Sequence, residues 1–309
     1  MIALVLAAVL GAGGYLGVQH LRSHTQPAAA APKPRPAPAP APRRARLTAR
    51  PTRVALLSTP SPPRHGTPAV AARSAILVDA SSGAVLWQKR PHRSRPIAST
   101  TKIMTATLVL ERLRLNRLVR VPHRITRVPL VREGLRARER VPVWKLLDGL
   151  LIFSGNDDAL ALADAVGGTR RHFLALMNEK ARELGLRDTH FASASGVIDK
   201  GNYSSAWDLA ALARYATRDP RFRKIVATRI AHVPWSPPTY EKVYVNKNAL
   251  LGTYRGADGV KTGWTSVAGH CLVASAHRHG VRLIAVFLHS ADPYGDARRL
   301  LNFGFALRR

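Results

Sequence analysis

Cysteine is almost absent: Cys271 is the single one in 309 residues. An internal disulfide is thereby excluded, and stability must come from the core that a chain of this length can bury. Cys271 opens the apolar run Cys271-Leu272-Val273-Ala274 and is expected to be a small buried hydrophobe. Acidic residues are scarce: 18 Asp and Glu stand against 48 Lys and Arg, a net charge of +30. Residues 1–72 hold nine Lys/Arg and no acid, so +9 sits there and +21 on the remainder. Such a surface suits anionic surroundings, whether nucleic acid, lipid head groups or an acidic wall polymer. Drift toward Arg in an Arg-rich proteome explains it equally well. Zinc-finger spacing and an aromatic–basic RNA-binding string are both missing, which argues against a nucleic-acid partner. His277 and His279 lie in a turn and make no ligand set, so no metal or other cofactor is expected. There is no internal repeat.

Three regions are present. Residues 1–18 contain an unbroken run of apolar residues and glycines, Ile2 to Val18, at the short limit for a membrane span and long for a signal-peptide core. Either reading sends the rest of the chain across a membrane. A basic stretch ahead of the run is missing, which leaves open a start further upstream; an uncleaved anchor is slightly favoured over a signal peptide cut at Ala28–Ala30. Residues 19–72 are a Pro/Ala/Arg-rich linker, typified by Pro32-Lys-Pro-Arg-Pro-Ala-Pro-Ala-Pro40, expected to be solvated and semi-rigid. Residues 73–309 are expected to fold. Strands are predicted at 74–79 and 85–87, around a turn at 80–84, and again at 269–276 and 281–289. Apolar spacing predicts helices at 99–113, 143–153, 158–166, 171–185 and 205–217, and a closing helix from Asp292. Strands at both ends with helices between imply an α/β (α+β) sheet sandwiched by helices.

Three short strings carry the chemistry. Ser99-Thr-Thr-Lys102 places a hydroxyl and an amine one turn apart at a helix start. Serine needs a base to become a nucleophile, and lysine serves only when neutral, through burial or a neighbouring cation; Lys261 is the expected cation. Ser154-Gly-Asn156 sits at a break after the apolar Leu147–Phe153. Across a glycine, Ser154 and Asn156 can face one cavity, Ser154 to pass a proton and Asn156 to hold Lys102. Gly259-Val-Lys261-Thr-Gly263-Trp264 is a strand in which Lys261 and Gly263 share a face. Lys261 offers charge to a carboxylate, and Gly263 allows a substrate backbone close approach. Singly, each string is equally an ordinary helix cap, an Asx turn or a surface strand. Together they equip acyl transfer beside a free carboxylate.

In this order and company the strings resemble the low-molecular-mass penicillin-binding proteins, serine D-alanyl-D-alanine carboxypeptidases of the peptidase S11 type. The likeness spans about residues 73–309. It includes Pro96 to Ala106, Ser154 to Ala159, His190 to Gly196 (with Ser193 where the family usually has Asn) and Asp258 to Thr265. It implies a β-lactamase/transpeptidase-like domain with a central antiparallel sheet. It also implies Ser99 as acyl-enzyme nucleophile, Lys102 as proton acceptor, Ser154 and Asn156 as proton relay and positioning groups, and Lys261 and Thr262 as carboxylate holders. Gly263 and Trp264 complete that strand, and the backbone N–H groups of Ser99 and Trp264 form the oxyanion hole. The implied substrate is the peptidoglycan stem peptide, which loses its terminal D-Ala; β-lactam antibiotics are the implied inhibitors, and the cell envelope the implied location, with a membrane contact through the N-terminal segment. Many relatives continue into a β-rich second domain and a C-terminal anchor, which this sequence does not show, so the apolar N-terminus is expected to replace the anchor. A DD-endopeptidase is the alternative, and a β-lactamase or a non-catalytic scaffold stand behind it. The β-lactamase reading is weakened by Gly155, where class A enzymes carry Asp.

Overall fold

The structure is a computed structural model that describes residues 57–58, 67–197 and 201–308. The apolar run at 1–18 and most of the 19–72 linker lie outside the described residues. In chain order the elements are β1 (Ser74–Asp79), β2 (Val85–Lys89), β3 (Arg95–Pro96), α1 (Lys102–Arg112), β4 (Leu118–Arg120), β5 (Arg140–Pro142), α2 (Val143–Asp148), α3 (Asn156–Gly167) and α4 (Arg170–Glu183). They continue with β6 (Tyr203–Ser204), α5 (Ala206–Ala216), α6 (Pro220–Ala227), β7 (Ile230–Pro234), β8 (Glu241–Val245), β9 (Ala257–Thr265), β10 (Gly269–Arg278), β11 (Val281–Ser290) and α7 (Pro293–Ala306).

Five strands form one antiparallel sheet in the order β2-β1-β11-β10-β9, with β9 at the edge. The first and last strands therefore meet in its middle, where β1 pairs with β11. Both faces are covered. Ile76, Val78, Val273, Ile284 and Val286 pack into the large core under the helices, whereas Leu77, Leu272, Ala285 and Phe287 pack against Leu300, Leu301 and Phe305 of α7. Strands buried on both sides read as continuous apolar runs instead of alternating ones, which is how β10 and β11 appear in the sequence.

Packing reaches upstream of Arg73. Val70 and Ala72 are buried, and Leu57 belongs to the large core. Asp296 of α7 ties this segment down by accepting from Ala71 N–H at 2.8 Å, Ala72 N–H at 2.9 Å and Ser290 Oγ at 2.7 Å. Ser205 caps α5 by accepting from Asp208 N–H, and Asp292 caps α7 through Gly295 N–H. The β4–β5 pair and the β7–β8 hairpin carry no strong sequence signal. They form small separate sheets of two strands each.

Candidate active site

The nucleophile segment is a turn before it is a helix. Residues Ala98–Thr101 wind as a 3-10 helix and α1 begins only at Lys102. At three residues per turn, side chains at i and i+3 eclipse, so Ser99 and Lys102 stack. Lys102 Nζ lies 3.0 Å from Ser99 Oγ. Every α1 residue from Lys102 to Leu110 is buried, which anchors the lysine from below. Ala98, just before the nucleophile, holds a left-handed φ of 45°, a strained conformation for a side-chain-bearing residue. Two glycines brace it. A Cβ on Gly196 would overlap Ala98 O, and one on Gly263 would stand 2.9 Å from Ser99 N and 3.1 Å from Ala98 Cβ. The bare face of Gly263 thus receives the nucleophile turn of the chain itself.

In the second string, α2 loosens into a π segment at Gly149–Phe153, which ends at Ser154 in the left-handed region with φ 73° and ψ 34°. Gly155 N–H donates to Gly149 O at 3.0 Å, and α3 starts at Asn156, two residues ahead of its expected start. This break turns Asn156 into the interior. Lys102 Nζ donates to Asn156 Oδ1 at 2.8 Å, while Asn156 donates from its backbone N–H to Val131 O at 2.9 Å and from Nδ2 to Pro129 O at 3.4 Å. Ser154 is buried too.

Third comes the edge strand β9. Lys261 and Gly263 pair across the ladder with Val273 and Cys271, and so face the helical side of the sheet, as alternation predicts. Lys261 is 2% exposed, and its Nζ donates to Thr262 O at 3.3 Å. Thr262 is half-buried, and Trp264 turns outward, 60% exposed. Cys271 is the buried hydrophobe expected, its thiol pushed up to about 11 by burial.

The electrostatics favour a free amine at Lys102. Burial, then the charges of Lys261 and Lys247, hold its pKa well below the usual lysine range. Burial and Lys247 bring Lys261 down to about 7. Lys247, itself lowered by burial, was not singled out by sequence reasoning; it lies outside all three strings and only the fold brings it near. A neutral Lys102 has two N–H groups and a lone pair. Asn156 Oδ1 takes one N–H and fixes the amine, leaving the lone pair for the Ser99 hydroxyl proton.

The chain is 34% identical over 244 residues to D-alanyl-D-alanine carboxypeptidase DacF of Bacillus subtilis, covering 76% of this chain and 62% of that protein. It is 35% identical over 263 residues to the D-alanyl-D-alanine carboxypeptidase of Streptomyces sp. strain K15, covering 78% and 89%. Among solved structures, the Streptomyces K15 DD-transpeptidase superposes with a TM-score of 0.75 at 34% identity, over 78% of this chain and 100% of that one. The chain thus spans less than two thirds of the Bacillus relative and nearly all of the Streptomyces one. Residues 59–292 match the peptidase S11 family, D-alanyl-D-alanine carboxypeptidase, and the chain belongs to that family.

Proposed function

We propose that the chain is a serine D-Ala-D-Ala carboxypeptidase that removes the terminal D-Ala of peptidoglycan stem peptides. The observation that carries this is the buried Lys102, bonded to both Ser99 Oγ and Asn156 Oδ1 with Lys261 beside it. Ser99 Oγ attacks the carbonyl of the penultimate D-Ala while its proton passes to Lys102 Nζ. Backbone N–H groups of Ser99 and Trp264 receive the developing oxyanion. Ser154 relays the proton to the leaving amine, and the D-Ala carboxylate leaves from Lys261 and Thr262. Water then takes the acyl group from Ser99. Of the two Streptomyces K15 matches, one bears the carboxypeptidase name and the other the transpeptidase name. The two reactions differ in whether water or an amine resolves the acyl-enzyme. β-Lactams, as mimics of the substrate, would acylate Ser99.

The envelope is the location this substrate requires, and the apolar run at 1–18 is the element we assign to export or anchoring. Among the described residues no helix is long and apolar enough to cross a membrane. The test is release of D-Ala from a synthetic stem peptide ending in D-Ala-D-Ala, with Ser99→Ala as control. Release that vanishes in the variant supports the reading. Cleavage of cross-linked muropeptides without release from the free peptide would replace it with the endopeptidase.

A further inference from the structure

Behind the second string lies a set of buried ionisable groups that the acylation chemistry above does not use. Three consecutive residues at the start of α3 hold the segment 129–135. Asn156 takes the carbonyls of Pro129 and Val131. Asp157 accepts from the N–H groups of Glu133, Gly134 and Leu135 at 2.9, 2.9 and 3.1 Å. Asp158 points into the interior and is 0% exposed. Its Oδ2 and Glu133 Oε2 crowd the same point above Gly149, where a Cβ would overlap both, and Asp158 Oδ2 also fills the space above Gly155. Glycine at 149 and 155 therefore makes room for a carboxyl pair.

That pair lacks donors. Neither oxygen of Asp158, nor Glu133 Oε2, has a hydrogen-bond donor among the described residues. Glu133 Oε1 is satisfied by Lys242 Nζ of β8 at 2.8 Å. Tyr244 OH, also on β8, lies beside Glu133 without a hydrogen bond of good geometry. Asp148 of α2 and Asp157 add negative charge to this region, and Lys102 of α1 feels the charge of Asp158. Two adjacent buried carboxylates with one cation between them cannot both stay ionised. One proton on the pair supplies the missing donor, and Glu133, already matched to Lys242, is the partner that keeps its charge.

We propose that Asp158 is a positioning residue that carries this proton and donates it to Glu133 Oε2, which fastens the 129–135 segment behind Ser154-Gly155-Asn156 and keeps a negative charge away from Lys102. Directions of titration agree: burial and the charge of Glu133 raise Asp158 well above the usual carboxylate range, and an ionised Asp158 would raise Lys102. Glu133 is thus a remote control on the basicity of the lysine. Remove its charge, and Asp158 is free to ionise against Lys242. Lys102 then gains a neighbouring anion and is harder to deprotonate.

The inference rests on Ser99 and Lys102 acting as proposed, and the experiment separates the two claims. The initial rate of Ser99 acylation by a fluorescent penicillin is measured on the full chain from about pH 5 to about 10, in wild type, Glu133→Gln, Asp158→Asn and the double variant. In Glu133→Gln the acid limb is expected about one unit higher, so that acylation on that limb is about tenfold slower. In Asp158→Asn, and in the double variant, no carboxylate can form at position 158 and the limb stays at its wild-type pH. A purely structural pair would lower the plateau and the melting temperature in all three and leave the limb in place. An unmoved limb in folded Glu133→Gln, or a limb still displaced in the double variant, overturns the proposal. A second measurement needs no activity: at neutral pH wild type should show the infrared C=O stretch of a buried protonated carboxyl, lost in Asp158→Asn. Its absence from wild type overturns the proposal even where Glu133→Gln does not fold. A wild type that forms no penicillin adduct, yet shows that stretch, overturns the reading of Ser99 and leaves the carboxyl pair standing.

Discussion

Lys102 is fully buried among apolar side chains, and its partners are a hydroxyl and an amide oxygen. A cation in such a place loses its hydration without a paired charge to replace it, so neutrality is the physical outcome. Arginine cannot become neutral in a protein. Lys102→Arg should therefore keep the charge and lose the base, with acylation by a fluorescent penicillin falling about 10²- to 10⁴-fold. Lys261 works in the opposite sense, since it serves as a cation. With its pKa at about 7 in the free protein, kcat/KM for a carboxylate-ended peptide should decline on the alkaline side of that value. Lys261→Arg should remove that alkaline limb, and a limb still present in the variant would assign it to another group. Stability follows by linkage. The unfolded lysine binds its proton up to its ordinary value of 10.5, so the unfolded state holds more protons between about 7 and 10.5. The contribution of Lys261 to stability is complete above that window and is lost as pH falls through it, which urea unfolding at several pH values checks.

At the scale of elements, the site is made by interruptions of regular structure. The 3-10 turn at Ala98–Thr101, the π segment at Gly149–Phe153 and the left-handed Ser154 each deflect the chain so that side chains converge. Apolar spacing made helices at 99–113 and 143–153 legible, because both bury their faces in the large core. The irregular turns were not legible. A 3-10 or π turn leaves no period of its own in so few residues, and Ser154 is left-handed because the fold holds it there, against the preference of serine. Gly263→Ala tests how tightly β9 is seated on the nucleophile turn. The added Cβ meets Ser99 N at 2.9 Å and Ile97 O at 3.1 Å, backbone atoms that have nowhere to move. Overpacking of this kind costs about 1–3 kcal/mol. Penicillin acylation per folded molecule should fall together with the denaturation midpoint; unchanged labelling would show that the turn gives way without harm.

Over the whole molecule, the central sheet separates two cores with different duties. Helices that carry Lys102 and Asn156 share the large core with one face of the sheet, and α7 closes the other face. Leu301→Ala, at a fully buried position on α7, should cost about 2–5 kcal/mol in urea unfolding yet leave acylation by the folded fraction unchanged. A loss of acylation beyond the unfolded fraction would mean that the two faces are coupled through the sheet. Sequence alone determined the fold class, the three strings, their order and the family they belong to, because local spacing and residue chemistry are written along the chain. It also foretold Lys261 as the cation beside Lys102 and Cys271 as a buried hydrophobe. Closure of the chain alone showed that the nucleophile turn sits against Gly263, that Lys247 joins the lysine field, and that Glu133 and Asp158 share a buried space behind the site. Each of these depends on burial and on charges brought together from distant segments, and neither quantity exists until the chain has closed on itself.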